Sequence, residues 1–338
     1  MVKTMNRRVY CEYLFLKHFV TDIPKHDNLP QNRDPYTSWR KMFEFLMRSQ
    51  IIVDITRQQL LDECLKNDVL FNLYRSNPNF KCLGSKFPSI SKLDKSNIDK
   101  HKRFFSVYLT NSNKRIREEI SSKLGLIILG KSDINKFEEM FEEFTFPIPK
   151  GISFSWENIP LNEMIRKSNS MIIVDNYILD DTKLLEKNFK SLMEKLLPER
   201  SSVEYHITVI AKLKGTLKSK NEEDAKFRYN KCRQILEDVS KKKNNLQLSC
   251  SVVHSNDFHD RIIVTNNVWI DCGAGFELVN CKGKTSKRTN LRFSYPFMTE
   301  GHQEWVDDAF FFLLSDCIKE KDYIDCNIPQ NRLIKLVE

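Results

Sequence analysis

Apolar positions in the first 130 residues come as short blocks set between amphipathic stretches. Residues 9–16 read as a strand running into a helix, with Glu12 where the strand ends. In the segment 39–48, Trp39, Met42, Phe43, Leu46 and Met47 recur at helical spacing on one face. Residues 51–55 form a short buried strand ending near Asp54, and Thr56 stands where a cap opens a helix over 58–66, which carries Asp62 and Glu63. The segment 76–102, rich in Ser, Asn, Pro and Lys, reads as a long loop. Residues 104–110 form a strand, 113–124 a helix closed by Gly125, and 126–129 a further strand. Strand alternating with helix predicts a parallel sheet.

A short acidic amphipathic helix is expected over 136–144. Pro147, Pro149 and Gly151 then end regular structure. This places a first domain at 1–150 and a second at 160–338, in line with a length of 338 residues. The second half opens with an apolar strand over 171–179. A helix capped by Asp181 runs to 197, with Leu184, Leu185, Asn188, Phe189, Leu192, Met193 and Leu196 inward, and Pro198 stops it. Strands follow at 203–211, with His206 as a core or edge histidine, and at 246–254, with a helix over 222–239 between them. A hairpin is expected around the turn Asn266-Asn267, and an apolar helix over 303–318. The fold class is therefore α/β, in two domains.

Charge adds a candidate partner. The chain holds 54 basic and 45 acidic residues, a formal net charge of +9, and 41% hydrophobic residues, enough to build buried cores. Lys212, Lys214, Lys218 and Lys220 form one run without an acid. Lys282, Lys284, Lys287, Arg288 and Arg292 form another. Such runs neutralise backbone phosphates and release counterions, although a solvated face accounts for them equally well. Phe293, Tyr295 and Phe297 alternate with polar residues beside the second run and fit either base stacking or core packing. Nine cysteines are scattered, with no Cys-x-x-Cys pair, which argues against a zinc cage or a disulfide framework. No apolar run reaches the ~18 residues of a membrane span, and residues 1–8 lack the apolar core of a signal peptide. A cytoplasmic protein is expected.

The chemistry centres on residues 258–276. His259 and Arg261 stand two apart, so in a strand they share a face, with Asp260 behind. An imidazole beside a cation suits a phosphate: one group bonds or attacks it, the other neutralises its oxygens. The stretch resembles the phosphodiesterase motif of the phospholipase D superfamily, His-x-Lys, four residues, Asp, six residues, Gly-Ser. His259, Arg261, Asn266 and Gly273-Ala274 keep that frame, but lysine has become Arg261, aspartate Asn266 and serine Ala274. His-Asp-Arg is similar to a non-catalytic branch, the C-terminal domain of MIT-domain proteins and its bacterial relatives. The strand at 171–179 resembles that branch's opening strand. The resemblance covers roughly residues 160–300 and implies a phospholipase D-like α/β sandwich in the second domain.

The first domain resembles, weakly, a PIN-like nuclease domain, in which acids at strand ends hold a divalent metal such as Mg or Mn. Glu12, Asp54 and Asp62 are the candidate ligands. Asn111-Ser112-Asn113 stands where a third strand-end acid would be.

Three functions follow as expectations. The first is a protein that binds nucleic-acid phosphates through a degenerate motif, a plausible part of a bacterial defence or mobile-element system by resemblance. The second is an active phosphodiesterase. It would use His259 without metal, a symmetric homodimer supplying the second motif, or a metal on the N-terminal acids. The third is a module for anionic lipid or a partner protein.

Overall fold

The computed structural model describes residues 8–25, 35–94, 96, 106–161, 163–181, 183–212, 222–254, 261–295, 323–324 and 331–333. The protein is mixed α/β and forms two compact units, the first through Glu142 and the second from Glu143.

The first unit is built on a parallel sheet of five strands: β1 (Arg8–Cys11), β2 (Gln50–Val53), β3 (Lys81–Cys82), β4 (Ser106–Leu109) and β5 (Ile127–Leu129). Their order is β3-β2-β1-β4-β5. The α-helices whose bounds lie among the described residues of this unit are α1 (Tyr13–Thr21), α2 (Pro35–Met47), α3 (Arg57–Cys64), α4 (Asp68–Ser76), α5 (Lys114–Leu124) and the single turn α6 (Phe137–Met140). β2, β4 and β5 are buried along their whole length. That is why they read as unbroken apolar runs rather than alternating ones. The caps are local. Thr56 and Gln59 close a capping box at α3, Asn113 Oδ1 accepts from Ile116 N at 3.0 Å, and Gly125 ends α5 at φ 64°.

Two features depart from the pattern. The expected loop at 76–102 contains β3, whose two residues are too few to show a period. α4 is also present, opened by Asn67, whose Oδ1 accepts from Leu70 N at 2.8 Å. The acidic helix expected over 136–144 is a 3₁₀ segment, Lys131–Lys136, followed by α6.

The second unit is an eight-stranded mixed sheet: β6 (Phe144–Ile148), β7 (Ser170–Val174), β8 (Tyr205–Ala211), β9 (Leu248–His254), β10 (Ile262–Thr265), β11 (Trp269–Cys272), β12 (Thr289–Ser294) and β13 (Tyr323–Ile324). The order is β13-β9-β8-β7-β10-β11-β12-β6. β7, β8 and β9 are parallel, and every other pairing is antiparallel. Its helices among the described residues are α7 (Glu163–Arg166), α8 (Ser191–Leu196) and α9 (Glu222–Lys242). The division between units falls earlier than the breaker residues suggest. Pro147 does not end regular structure but sits in β6 opposite Asn290. β6 is an edge strand, where a missing N–H is tolerated.

The stretch expected as one helix to residue 197 is a π-helical turn, Glu186–Lys190, leading into α8. Asn188 faces inward there and acts as a strand mimic. Its Oδ1 accepts from Val279 N and its Nδ2 donates to Val279 O, both at 2.9 Å. His206 is buried in β8, with Nε2 3.6 Å from Glu204 Oε2. The expected helix at 303–318 lies outside the described residues.

Asn188→Ala leaves both backbone groups of Val279 buried without their partner. Urea unfolding should show the second unit destabilised by about 2–4 kcal/mol. An unchanged midpoint would mean that water replaces both bonds.

Candidate functional site

The C-terminal ends of the parallel strands β7 and β8 and the start of β10 lie at one end of the sheet, because β10 runs antiparallel to β7 with Ile262 opposite Val174. β11 ends and β12 begins at that same end, with Cys272 opposite Leu291. Asp175, Lys212, Arg261, Gly273 and the β11–β12 connection are thereby gathered. His259 lies outside the described residues. The strand ends flanking it, His254 of β9 and Ile262 of β10, are both at this end.

Arg261 is held on several sides. Its Nη1 donates to Gly273 O at 2.5 Å, and its guanidinium carbon lies 5.4 Å from the centre of the Tyr177 ring, a cation–π distance. Behind it Asp175 is fully buried, at 0% exposure. Asp175 Oδ2 accepts from Phe276 N at 2.6 Å and Oδ1 from Tyr177 N at 2.9 Å. Burial pushes its carboxyl pKa up, and the two N–H groups and Arg261 oppose that push. Gly275, at φ 88°, makes the close approach possible. A Cβ there would stand 2.9 Å from Asp175 Oδ2 and 3.2 Å from Arg261 Cδ. Ala274 brings no hydroxyl to this turn. Thr289 supplies one, its Oγ1 accepting from Ala274 N at 3.1 Å.

Glu277, two residues past Gly275, has a strongly shifted carboxyl. It is raised to about 7, first by burial and then by Asp181, Asp175 and Asp180, with Lys287 opposing. Asp180 is itself paired with Arg228 at 3.5 Å.

Asn266 is not part of this cluster. It sits beyond the far end of β10, where its Oδ1 accepts from Asn169 N at 2.8 Å and ties the turn to the start of β7. The kept spacing therefore carries a structural residue at this position. Of the basic residues, Lys212 is exposed just after β8, while Lys214, Lys218 and Lys220 lie outside the described residues. Lys282, Lys284, Lys287 and Arg288 are exposed in the β11–β12 connection, and Arg292 pairs with Glu143 at 3.3 Å. Phe293 and Tyr295 do not offer stacking surfaces. They share the buried face of β12 with Leu291, at 0% and 1% exposure, and Phe293 stacks on Phe144 at 4.4 Å. Phe297 lies outside the described residues.

In the first unit the order β3-β2-β1-β4-β5 puts a topological switch point between β1 and β4, where open α/β sheets bind ligands. Glu12 follows β1 at that point, and Asp54 follows β2, on the other side of β1. Both are already used. Glu12 Oε2 accepts from Thr110 Oγ1 at 2.6 Å and Asn111 N at 3.0 Å, and Asp54 Oδ1 accepts from Tyr13 N at 2.6 Å. Asp62 faces elsewhere, in an exposed pair with Gln58 at 3.0 Å. Its neighbour Glu63 takes the Tyr13 hydroxyl at 2.5 Å, and that bond with Lys66 holds its carboxyl at about 2. No three metal-binding side chains converge among the described residues. A divalent ion held by Glu12 and Asp54, each partly engaged, would take its remaining oxygens from water or substrate.

No family model and no curated protein matches the chain. No helix among the described residues is long and apolar enough to cross a membrane.

In the sequence Asp175 and Tyr177 stand out only as part of the strand at 171–179 and Gly275 only as part of the turn at 273–276, without a site role, and Glu277 not at all. A weak signal was available: an acid directly after an unbroken apolar strand, and a second glycine two residues past Gly273.

Two outcomes test this geometry. Gly275→Ala forces a left-handed backbone and a clash at once, so thermal unfolding should show the second unit weakened by about 2 kcal/mol or more. Glu277 keeps its proton in the folded state to higher pH than in the unfolded chain, so folding stability falls as pH rises from about 4.5 to about 7. Glu277→Gln should therefore raise the melting temperature at pH 8 and leave it unchanged near pH 4. An equal shift at both would remove the acidic neighbours as the cause.

Proposed function

We propose that the protein binds nucleic acid through backbone phosphates, at the end of the second unit's sheet that carries Arg261. The observation behind this is the placement of charge. Lys212, Arg261, Lys282, Lys284, Lys287 and Arg288 all stand at that end, and the four residues of the connection have no ion-pair partner among the described residues. Surface cations left without acids are what a polyanion would neutralise.

The same geometry favours binding over catalysis. Arg261 is tied to Gly273 O and backs onto a buried carboxylate, and the turn at 273–275 has no serine. The central strand ending in Asp175 and the Arg261 hairpin support a phospholipase D-like reading of this unit, in its non-catalytic form. The parallel sheet of the first unit, with Glu12 and Asp54 after the ends of adjacent strands, supports a degenerate PIN-like reading. A metal-dependent nuclease there would need a third ligand beside those two acids.

Binding of a labelled single strand should weaken steeply with salt. Replacing Lys282, Lys284, Lys287 and Arg288 together by Ala should flatten the slope of log K against log salt by about 3, at roughly 0.7 for each phosphate no longer neutralised. An affinity indifferent to ionic strength, or a slope unchanged in that variant, would overturn the proposal. So would sedimentation with anionic vesicles in the absence of nucleic-acid binding.

A further inference from the structure

Among the described residues, the large aromatic side chain exposed beside Arg261 is Tyr177. It is 48% exposed, whereas Phe293 and Tyr295, the aromatics nearest the basic run in sequence, are buried. Its position is fixed rather than incidental. Its backbone N–H donates to Asp175 Oδ1 at 2.9 Å, and its ring centre lies 5.4 Å from the Arg261 guanidinium carbon. Arg261 is half-buried and carries five N–H donors, of which the bond to Gly273 O uses one. A cationic group that can hold a phosphate thus lies over one face of a half-exposed ring, the first at the head of β10 and the second on the turn after β7.

The acids around this turn decide which ligand benefits. Glu277 lies among Asp175, Asp180 and Asp181, with Lys287 and, through Asp175 and Asp180, Arg261 and Arg228 as the opposing charges. Acids stand among the cations here, so a phosphate alone is drawn less strongly than at the exposed run 282–288. A duplex shows its phosphates and hides its base faces, so it gains little here. A single strand gains the ring as well, since every base has a face that stacks.

We propose that this end of the sheet selects single-stranded nucleic acid, with a base stacked on Tyr177 and an adjoining phosphate held by Arg261. This selectivity rests on the nucleic-acid reading above and narrows it to one substrate class. The basic run at 282–288 tracks the backbone on either kind of strand, and Tyr177 is the residue that distinguishes them.

Fluorescence anisotropy tests this on the full chain, with a labelled pyrimidine DNA strand, the matching RNA strand and a blunt duplex of equal length. Wild type should prefer the single strands. Tyr177→Leu, which keeps apolar bulk without a stacking face, should weaken single-strand binding by about 5- to 150-fold and leave the duplex unchanged. Tyr177→Phe and Tyr177→Trp should retain wild-type affinity, which guards against a variant that fails merely by misfolding. If Tyr177→Leu binds strands as wild type does, or weakens strand and duplex equally, the inference falls while salt-dependent binding stands. If wild type binds none of the three at low salt, the nucleic-acid reading falls and takes this one with it.

Discussion

A carboxylate without exposed surface must be met by donors, because an unsatisfied buried charge costs several kcal/mol. At Asp175 those donors are Tyr177 N in its own turn and Phe276 N in the turn after β11, far apart in the chain, and the positive charge of Arg261 at the head of β10 adds to them. That one side chain therefore ties together three adjacent strands of the sheet at one end. Gly275 is the concession the arrangement requires, since only a residue without a Cβ lets the β11–β12 turn close over Asp175 and Arg261. Arg261 serves the fold before it serves any ligand, and what it offers a phosphate is the part of its guanidinium left over.

The first unit uses its acids in a similar way. Glu12 bridges β1 to the segment after β4, and Asp54 accepts from the first N–H of α1. Both sit where a metal-dependent enzyme would keep ligands, yet each has an oxygen engaged by the backbone. In both units the carboxylates at strand ends hold the structure together. Among the described residues at the Asp175 end of the second unit's sheet, the cations of the β11–β12 connection and the ring of Tyr177 face outward.

Much of this was legible in the sequence, for a physical reason. Strands buried on both faces are mostly apolar, so β2, β4, β5, β7 and β8 announce themselves despite Gln50, Ser106, Ser170, His206 and Thr208. Caps act within a few residues, so Thr56, Asn113 and Gly125 do as well. The sequence is less legible where partners are distant. Asp175 reads as a strand-end acid, and nothing local shows that Phe276, 101 residues on, will bond it. Asn188 looks like a polar residue on an apolar face until Val279 is placed against it. Pro147 reads as a terminator unless the strand is known to be at an edge. The alternation at 293–297 fits a stacking row as well as a buried strand face, and β12 resolves it: Phe293 and Tyr295 lie on the covered side, Arg292 on the open one.

If nucleic acid lies across the end of the sheet where Asp175 fixes Arg261 and Tyr177, its bases must come within bonding reach of that end. Photo-crosslinking with a single strand containing halogenated pyrimidines, followed by mass spectrometry of the linked peptides, reads the location directly. Crosslinks are predicted at Tyr177 and in the peptides covering 282–292. Crosslinks confined to the first unit, or none above an unirradiated control under conditions where the strand is bound, would contradict this placement.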